Sequence, residues 1–70
     1  MTLPFTPRQL DVLACVIEGK ANKVIAADLG LTEATVKAHI TAVLKALKVT
    51  NRTQAALAAE RLGIHRGEKR

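Results

Sequence analysis

The sequence predicts an all-α domain, a four-helix bundle built around a central helix-turn-helix. Two observations lead to this class. Apolar residues recur at helical spacing along the whole chain, and turn-forming residues fall only at the boundaries between the apolar segments. Nothing in the pattern indicates strands. The predicted helices cover approximately residues 7–18, 22–29, 33–47 and 52–62.

The first predicted helix has a recognisable start and end. Thr6 can cap it, and Pro7 suits its first position because proline lacks the N–H that has no partner there. Gln9 stands at the capping-box position, and Gly19 ends the helix. Cys15 lies among apolar neighbours and is expected to be a packed, inert core residue. The apolar stripe consists of Leu10, Val12, Leu13, Val16 and Ile17.

The second and third helices are separated by a turn of helix-turn-helix length. Gly30 stops the second helix, and Thr32 caps the third. The glycine in this short turn is typical of the motif. Ala26 is small enough to let the two helices approach closely at their crossing.

The third helix divides into two faces at 100° per residue. The face predicted to join the core carries Val36, Ile40, Val43, Leu44 and Leu47. The opposite face carries Ala34, Lys37, Ala38, Thr41, Lys45 and Lys48. Small residues allow close approach to a groove, while lysine and threonine can contact phosphates and base edges. Such a stripe can also be an ordinary solvent-exposed face.

The fourth helix is rich in alanine. Asn51 caps it, Gln54 stands at the capping-box position, and Gly63 ends it. The residues predicted to face inward are Ala55, Ala58, Ala59 and Leu62. Those predicted to face outward are Thr53, Ala56, Leu57 and Glu60. An outward leucine among small residues indicates a helix–helix contact, although a lone exposed leucine is also ordinary.

Composition excludes several protein classes. Seventy residues allow one domain, and an enzyme is not expected, because paired carboxylates, an activated nucleophile and a phosphate-binding glycine loop are all missing. The single cysteine makes no internal disulfide, and no Cys/His cluster offers metal ligands, so neither a metal nor a cofactor is expected. A membrane span and an export signal are also missing, and we expect a cytoplasmic location.

The net charge of +5 is unevenly distributed along the chain. Residues 1–31 are neutral overall, residues 32–70 carry the entire excess, and no acid occurs between Ala34 and Ala59. This asymmetry favours an anionic partner bound by one part of the molecule, although a basic face that serves solubility is the alternative.

The capping residues, turn glycines and helix faces described above, taken together, resemble those of the LuxR-type helix-turn-helix domain. That domain is the DNA-binding output module of bacterial quorum-sensing regulators and of many response regulators. The resemblance runs from about Phe5 to Gly63 in register, and it is strong because many spaced positions agree. Gln9, Asp11, Val24 and Thr32 depart from the family's usual residues. The resemblance is carried by residues 5–13, Gly19, Asn22, Lys23, Ile25, Ala26, Leu29, 35–39, Lys45, Leu47, Val49, Arg52 and Ala55.

The resemblance implies sequence-specific binding of double-stranded DNA by a transcription regulator, most simply the output domain of a two-component response regulator. Lys37, Ala38 and Thr41 match positions that face base edges in the major groove. The positions that match contacts to the DNA backbone are Asn22, Lys23, Thr35, His39, Lys45, Lys48 and Arg52. For His39 a half-buried structural role remains open.

The resemblance also implies that two copies pair through the fourth helix on a two-fold operator. The pairing residues would then be Thr53, Ala56, Leu57 and Glu60, and RNA polymerase would be a further partner. We expect residues 1–5 to be a linker stub, 6–63 to be the domain, and 64–70 to be a disordered basic tail.

Two other functions remain open. One is the promoter-binding region of a sigma factor, which shares the helix-turn-helix. That region usually continues with arginines and finishes near the second helix of the motif, the recognition helix. The other is a protein-binding module that has kept the fold without binding DNA and that uses Val24 and Leu57 as contacts.

Overall fold

A computed structural model describes residues 5–63 of the chain. Within this range the chain forms α1 (Pro7–Ile17), α2 (Asn22–Leu29), α3 (Glu33–Leu47) and α4 (Arg52–Arg61), without a strand. The all-α prediction is confirmed. Residues 1–4 and 64–70, which we assigned to a linker and a disordered tail, lie outside the described residues.

Three of the helices begin at side chains that cap them. Thr6 accepts the N–H of Gln9 at 3.1 Å, and the Gln9 side chain accepts the N–H of Thr6 at 3.0 Å, which completes a capping box at α1. Thr32 caps α3 and Asn51 caps α4. In α4 the capping box is incomplete, because the side chain of Gln54 accepts hydrogen bonds from Thr50 and not from the N–H of Asn51.

The helices end in left-handed residues, and one of these residues is not glycine. Gly19, Gly30 and Gly63 have φ angles of 79°, 69° and 76°. Such angles are accessible to glycine at little cost, which explains why it ends these helices. At the end of α3 the same conformation is adopted by Lys48, with φ 59° and ψ 43°.

The core consists of two groups of side chains, and α1 contributes to both. The first core group contains Val12, Cys15, Val16, Ile25, Ala26, Val36 and Ile40. The second core group contains Leu13, Val43, Ala55 and Ala59. Because α1 packs against the helix-turn-helix on one side and α4 on the other, its residues 12–16 are all buried. Cys15 is fully buried, as expected.

Three details of the sequence prediction are corrected. α1 ends at Ile17, one residue earlier than predicted, and Glu18 is its C-cap. α4 ends at Arg61, and Leu62, which we predicted to face inward, is 44% exposed. It lies beyond the last turn of α4, where no described element covers it. Phe5, which we assigned to the linker, is half-buried against the second core group.

Candidate nucleic-acid interface

A three-residue turn sets the angle between α2 and α3. The left-handed Gly30 reverses the chain, and the N–H of Leu31 donates to the carbonyl of Ala26 at 2.9 Å. Leu31 then packs against the first core group, and Thr32 caps the next helix. Ala26 is 6% exposed at the crossing, where its small side chain permits the close approach that the sequence predicted.

The two faces of α3 are separated as predicted. Val36, Ile40 and Val43 are buried, which fixes the helix on the core. Leu44 and Leu47 are half-buried beside them. The residues that are exposed on the other side are Ala34, Thr35, Lys37, Ala38, Thr41 and Lys45. This exposed side has small residues, hydroxyl groups and lysines, and α2 and the turn hold it in place.

The Thr41 hydroxyl already has one partner. It donates to the carbonyl of Lys37, one turn earlier, at 3.0 Å. Since a hydroxyl carries a single hydrogen, the oxygen of Thr41 remains available only as an acceptor. Its methyl group and this acceptor are therefore what Thr41 can present to a base edge.

The hydrogen bonds around Thr35 leave its hydroxyl hydrogen available for donation to a ligand. Thr32 accepts the N–H of Thr35 at 3.1 Å, and the Thr32 hydroxyl donates to the Thr35 hydroxyl oxygen at 2.9 Å. The hydrogen of the Thr35 hydroxyl is then free to point outward. A phosphate oxygen beside the start of α3 would accept it, and the chain of hydroxyls would strengthen the bond.

The start of α2 lacks a side-chain cap. Its N-cap is Ala21, whose methyl group can accept no hydrogen bond. The first N–H groups of the helix are consequently open to another acceptor, and a phosphate is the usual anion bound there. Lys23 is exposed beside this end, and the side chain of Asn22 is half-buried.

Arg52 is connected to this same end of α2. Its guanidinium donates one hydrogen bond to Oδ1 of Asn22 and another to the carbonyl of Lys20 at 2.5 Å. Two residues that the sequence placed independently among the backbone contacts therefore touch one another. Sequence reasoning did not predict this pairing, because the residues lie 30 positions apart and neither belongs to a local motif.

The lysines of the described residues fall into two sets. Lys20 bonds to Asp28 at 2.6 Å and pairs with Glu18 at 3.3 Å, so its charge is locally balanced. The lysines that are exposed and form no ion pair with a described residue are Lys23, Lys37, Lys45 and Lys48. These four are exposed positive charges in or beside the helix-turn-helix. His39, on α3, is half-buried.

α4 presents an outward face made of the predicted residues. Thr53, Leu57 and Glu60 are exposed, with Leu57 at 54%, and Ala56 is half-buried. A shallow groove of about 380 Å³ runs beside this face. Its lining consists of Lys48, Val49, Gln54, Leu57, Ala58 and Arg61.

Residues 5–63 lack a metal-binding cluster and a membrane-spanning helix. They contain no group of three or more His, Cys, Asp or Glu side chains that could hold a metal ion. None of their helices has the length and apolar character needed to span a membrane.

Residues 3–59 match the sequence profile of the family described as "GerE: Bacterial regulatory proteins, luxR family". The fold also matches the solved structure "Structure of Transcription factor, GerE", with a TM-score of 0.82 and 31% identity over 93% of this chain and 96% of that one. The chain belongs to the LuxR family. The family consists of DNA-binding transcription regulators and not of enzymes.

Curated members of the LuxR family include longer regulators. The transcriptional regulatory protein LiaR of Bacillus subtilis is 50% identical over 56 residues, which is 80% of this chain and 26% of LiaR. The nitrate/nitrite response regulator protein NarL of Escherichia coli K12 is 44% identical over 52 residues, 74% of this chain and 24% of NarL. The chain spans about a quarter of the length of these relatives.

Proposed function

We propose that this chain binds double-stranded DNA sequence-specifically as the output domain of a two-component response regulator. The observation that carries the proposal is the exposed face of α3, the second helix of the helix-turn-helix, which presents Lys37, Ala38 and Thr41. The similarity to LiaR and NarL supports the response-regulator assignment. The complete α4 after the recognition helix favours this function over the sigma-factor alternative.

We assign base recognition to three side chains of α3. Lys37 can donate to the acceptors of guanine, and Ala38 offers a methyl contact to thymine. Thr41 must act as an acceptor or through its methyl group, because its hydrogen bonds to the carbonyl of Lys37. It would accordingly accept from the amino group of cytosine or adenine in the major groove.

Contacts to the DNA backbone would surround this face. The uncapped start of α2 and Lys23 would hold one phosphate, and the outward hydroxyl of Thr35 would donate to another. The residues that we assign to the backbone are Asn22, Lys23, Thr35, His39, Lys45 and Lys48. Lysines beyond the recognition helix add attraction that weakens as salt is raised.

We further propose that two copies pair through the outward face of α4 when both are on DNA. The face holds Thr53, Ala56, Leu57 and Glu60, with only one large apolar side chain. A ten-residue helix is about 15 Å long, too short for the roughly 800 Å² per partner of a stable interface. Pairing would therefore be weak in solution and strengthened by adjacent half-sites about one turn of DNA apart.

Because its proposed ligand is DNA, we infer a cytoplasmic location. RNA polymerase would be met by surfaces that DNA leaves free, and the outward side of α1, with exposed Arg8 and Asp11 and the exposed C-cap Glu18, would be such a surface.

An amide NMR titration tests DNA binding. The labelled domain is titrated with a short mixed-sequence duplex at low salt and at near-physiological salt. We expect shifts at Asn22, Lys23 and residues 35–45 that weaken as salt rises, because phosphate contacts release counterions. Unchanged spectra at low salt would refute DNA binding and would favour the protein-binding module, whose candidate contacts Val24 and Leu57 are 45% and 54% exposed.

A further inference from the structure

We propose that Arg52 is a positioning residue that holds the start of α2 in place for its phosphate, and that it does not itself contact DNA. The proposal deepens the DNA-binding function argued above and depends on it. Three observations carry it: the two hydrogen bonds of the guanidinium, its place in the fold, and the uncapped helix end that it adjoins.

The location of Arg52 is unfavourable for a cation unless it has partners elsewhere. It is the first residue of α4, and the positive end of a helix dipole disfavours a positive charge nearby. No acidic residue lies in the first turn of α4 to offset this charge. The side chain instead reaches across to the α1–α2 turn, where Oδ1 of Asn22 and the carbonyl of Lys20 accept its N–H groups.

These hydrogen bonds connect elements that otherwise do not pack together. α2 packs against α3 and α1, and no packing between α2 and α4 occurs within the described residues. Arg52 therefore connects α4 to Lys20, which lies two positions before α2, and to Asn22, the first residue of α2. Because its guanidinium is a rigid planar fork, the two bonds fix both the position and the direction of that segment.

The bridged segment is the one that needs such support. The start of α2 has Ala21 as its N-cap and gains no order from a capping side chain. A binding group must be held within about 0.5 Å of its productive position by the residues around it. At the other three helix starts that support comes from Thr6, Thr32 and Asn51. At α2 the Arg52 bridge supplies it.

Salt dependence distinguishes positioning from direct contact. Affinity for a short mixed-sequence duplex is measured at several salt concentrations for Arg52→Met and Arg52→Lys. We expect both variants to bind about tenfold more weakly, with the slope of log K against log[salt] unchanged. A residue that contacts a phosphate would instead lower the slope by about 0.9 when it is removed. Lysine keeps the charge but carries its donors on a single nitrogen at the end of a flexible chain, without the planar fork that fixes the direction of the segment, so it should not restore binding.

Two further measurements complete the test. Arg8→Met is the matched control, because it removes an exposed arginine from the first turn of α1, and it should leave affinity nearly unchanged. Asn22→Ala removes its own backbone contact and one of the two bonds of Arg52, so the combined variant with Arg52→Met should lose less affinity than the sum of the two single losses. Additive losses, a reduced slope in Arg52→Met, or full affinity in that variant would each overturn the proposal.

Amide spectra of the free domain separate this proposal from the proposed function. Without DNA, Arg52→Met should shift the amides of residues 20–24 while the core amides of Val36 and Val43 stay in place. If the unsubstituted chain binds no duplex, the proposed function fails, whereas these shifts would still show that Arg52 positions α2. Unmoved amides at residues 20–24 would refute the positioning role whether or not DNA binds.

Discussion

Replacing Lys48 with glycine should stabilise the fold. Lys48 is the one non-glycine residue of the described chain with a positive φ, and the left-handed conformation costs such a residue about 1–2 kcal/mol. Glycine removes this cost but adds about 0.5–1 kcal/mol of backbone entropy to the unfolded chain. The expected net gain is roughly 0.5–1 kcal/mol, which corresponds to a rise in Tm of about 2–8 °C for a domain of this length.

The same substitution should weaken DNA binding, because it removes an exposed positive charge beside α3. We expect the slope of log K against log[salt] to fall by about 0.9, the loss of one phosphate contact. The assays are thermal unfolding followed by circular dichroism, and fluorescence anisotropy with a labelled mixed-sequence duplex.

Two companion variants separate conformation from charge. Lys48→Ala loses the charge but keeps a side chain in the left-handed region, so its Tm should not rise. Lys48→Asn tolerates that region better, and its Tm should fall between those of the alanine and glycine variants. All three should show the same reduction in slope. If glycine and alanine give the same Tm, the conformational argument is refuted, and an unchanged slope would remove Lys48 from the phosphate contacts.

Substitutions at three other positions test other parts of the domain. Lys37→Ala should weaken binding to a selected operator by about 1–3 kcal/mol, measured by anisotropy. Equal losses on operator and random DNA would show that Lys37 contacts no base. Thr32→Ala should lower the free energy of unfolding in urea by about 1 kcal/mol, whereas Thr32→Ser should not. Leu57→Asp should abolish cooperative binding to a two-fold operator and spare binding to one half-site. An equal loss of affinity for a single half-site would contradict pairing through α4.

The helix starts and most helix ends could be predicted from sequence because their chemistry is local. Thr6 and Thr32 precede apolar stripes by the distance that a capping hydroxyl needs, and Gly19 and Gly30 supply the left-handed ends. The end of α3 carries no such residue, since Lys48 adopts a conformation that lysine rarely favours.

The exposed face of α3 was also predictable, since helical periodicity alone separates Lys37 and Thr41 from the core. The Arg52–Asn22 bridge was not, because long-range pairs depend on how the chain folds back. The prediction for Leu62 failed for a related reason. Its spacing from Ala55 and Ala59 is helical, but the helix ends before it and no described element lies there to cover it.

The separation of core and exposed residues on α3 bears on how such a domain can diverge. Lys37, Ala38 and Thr41 are exposed and lie outside both core groups, so we expect substitutions at these positions to change the preferred DNA sequence at little cost to stability. Duplicated copies could therefore acquire new operators through a few exposed substitutions, while Val36, Ile40 and Val43 continue to hold the helix in place. One scaffold can in this way serve many promoters.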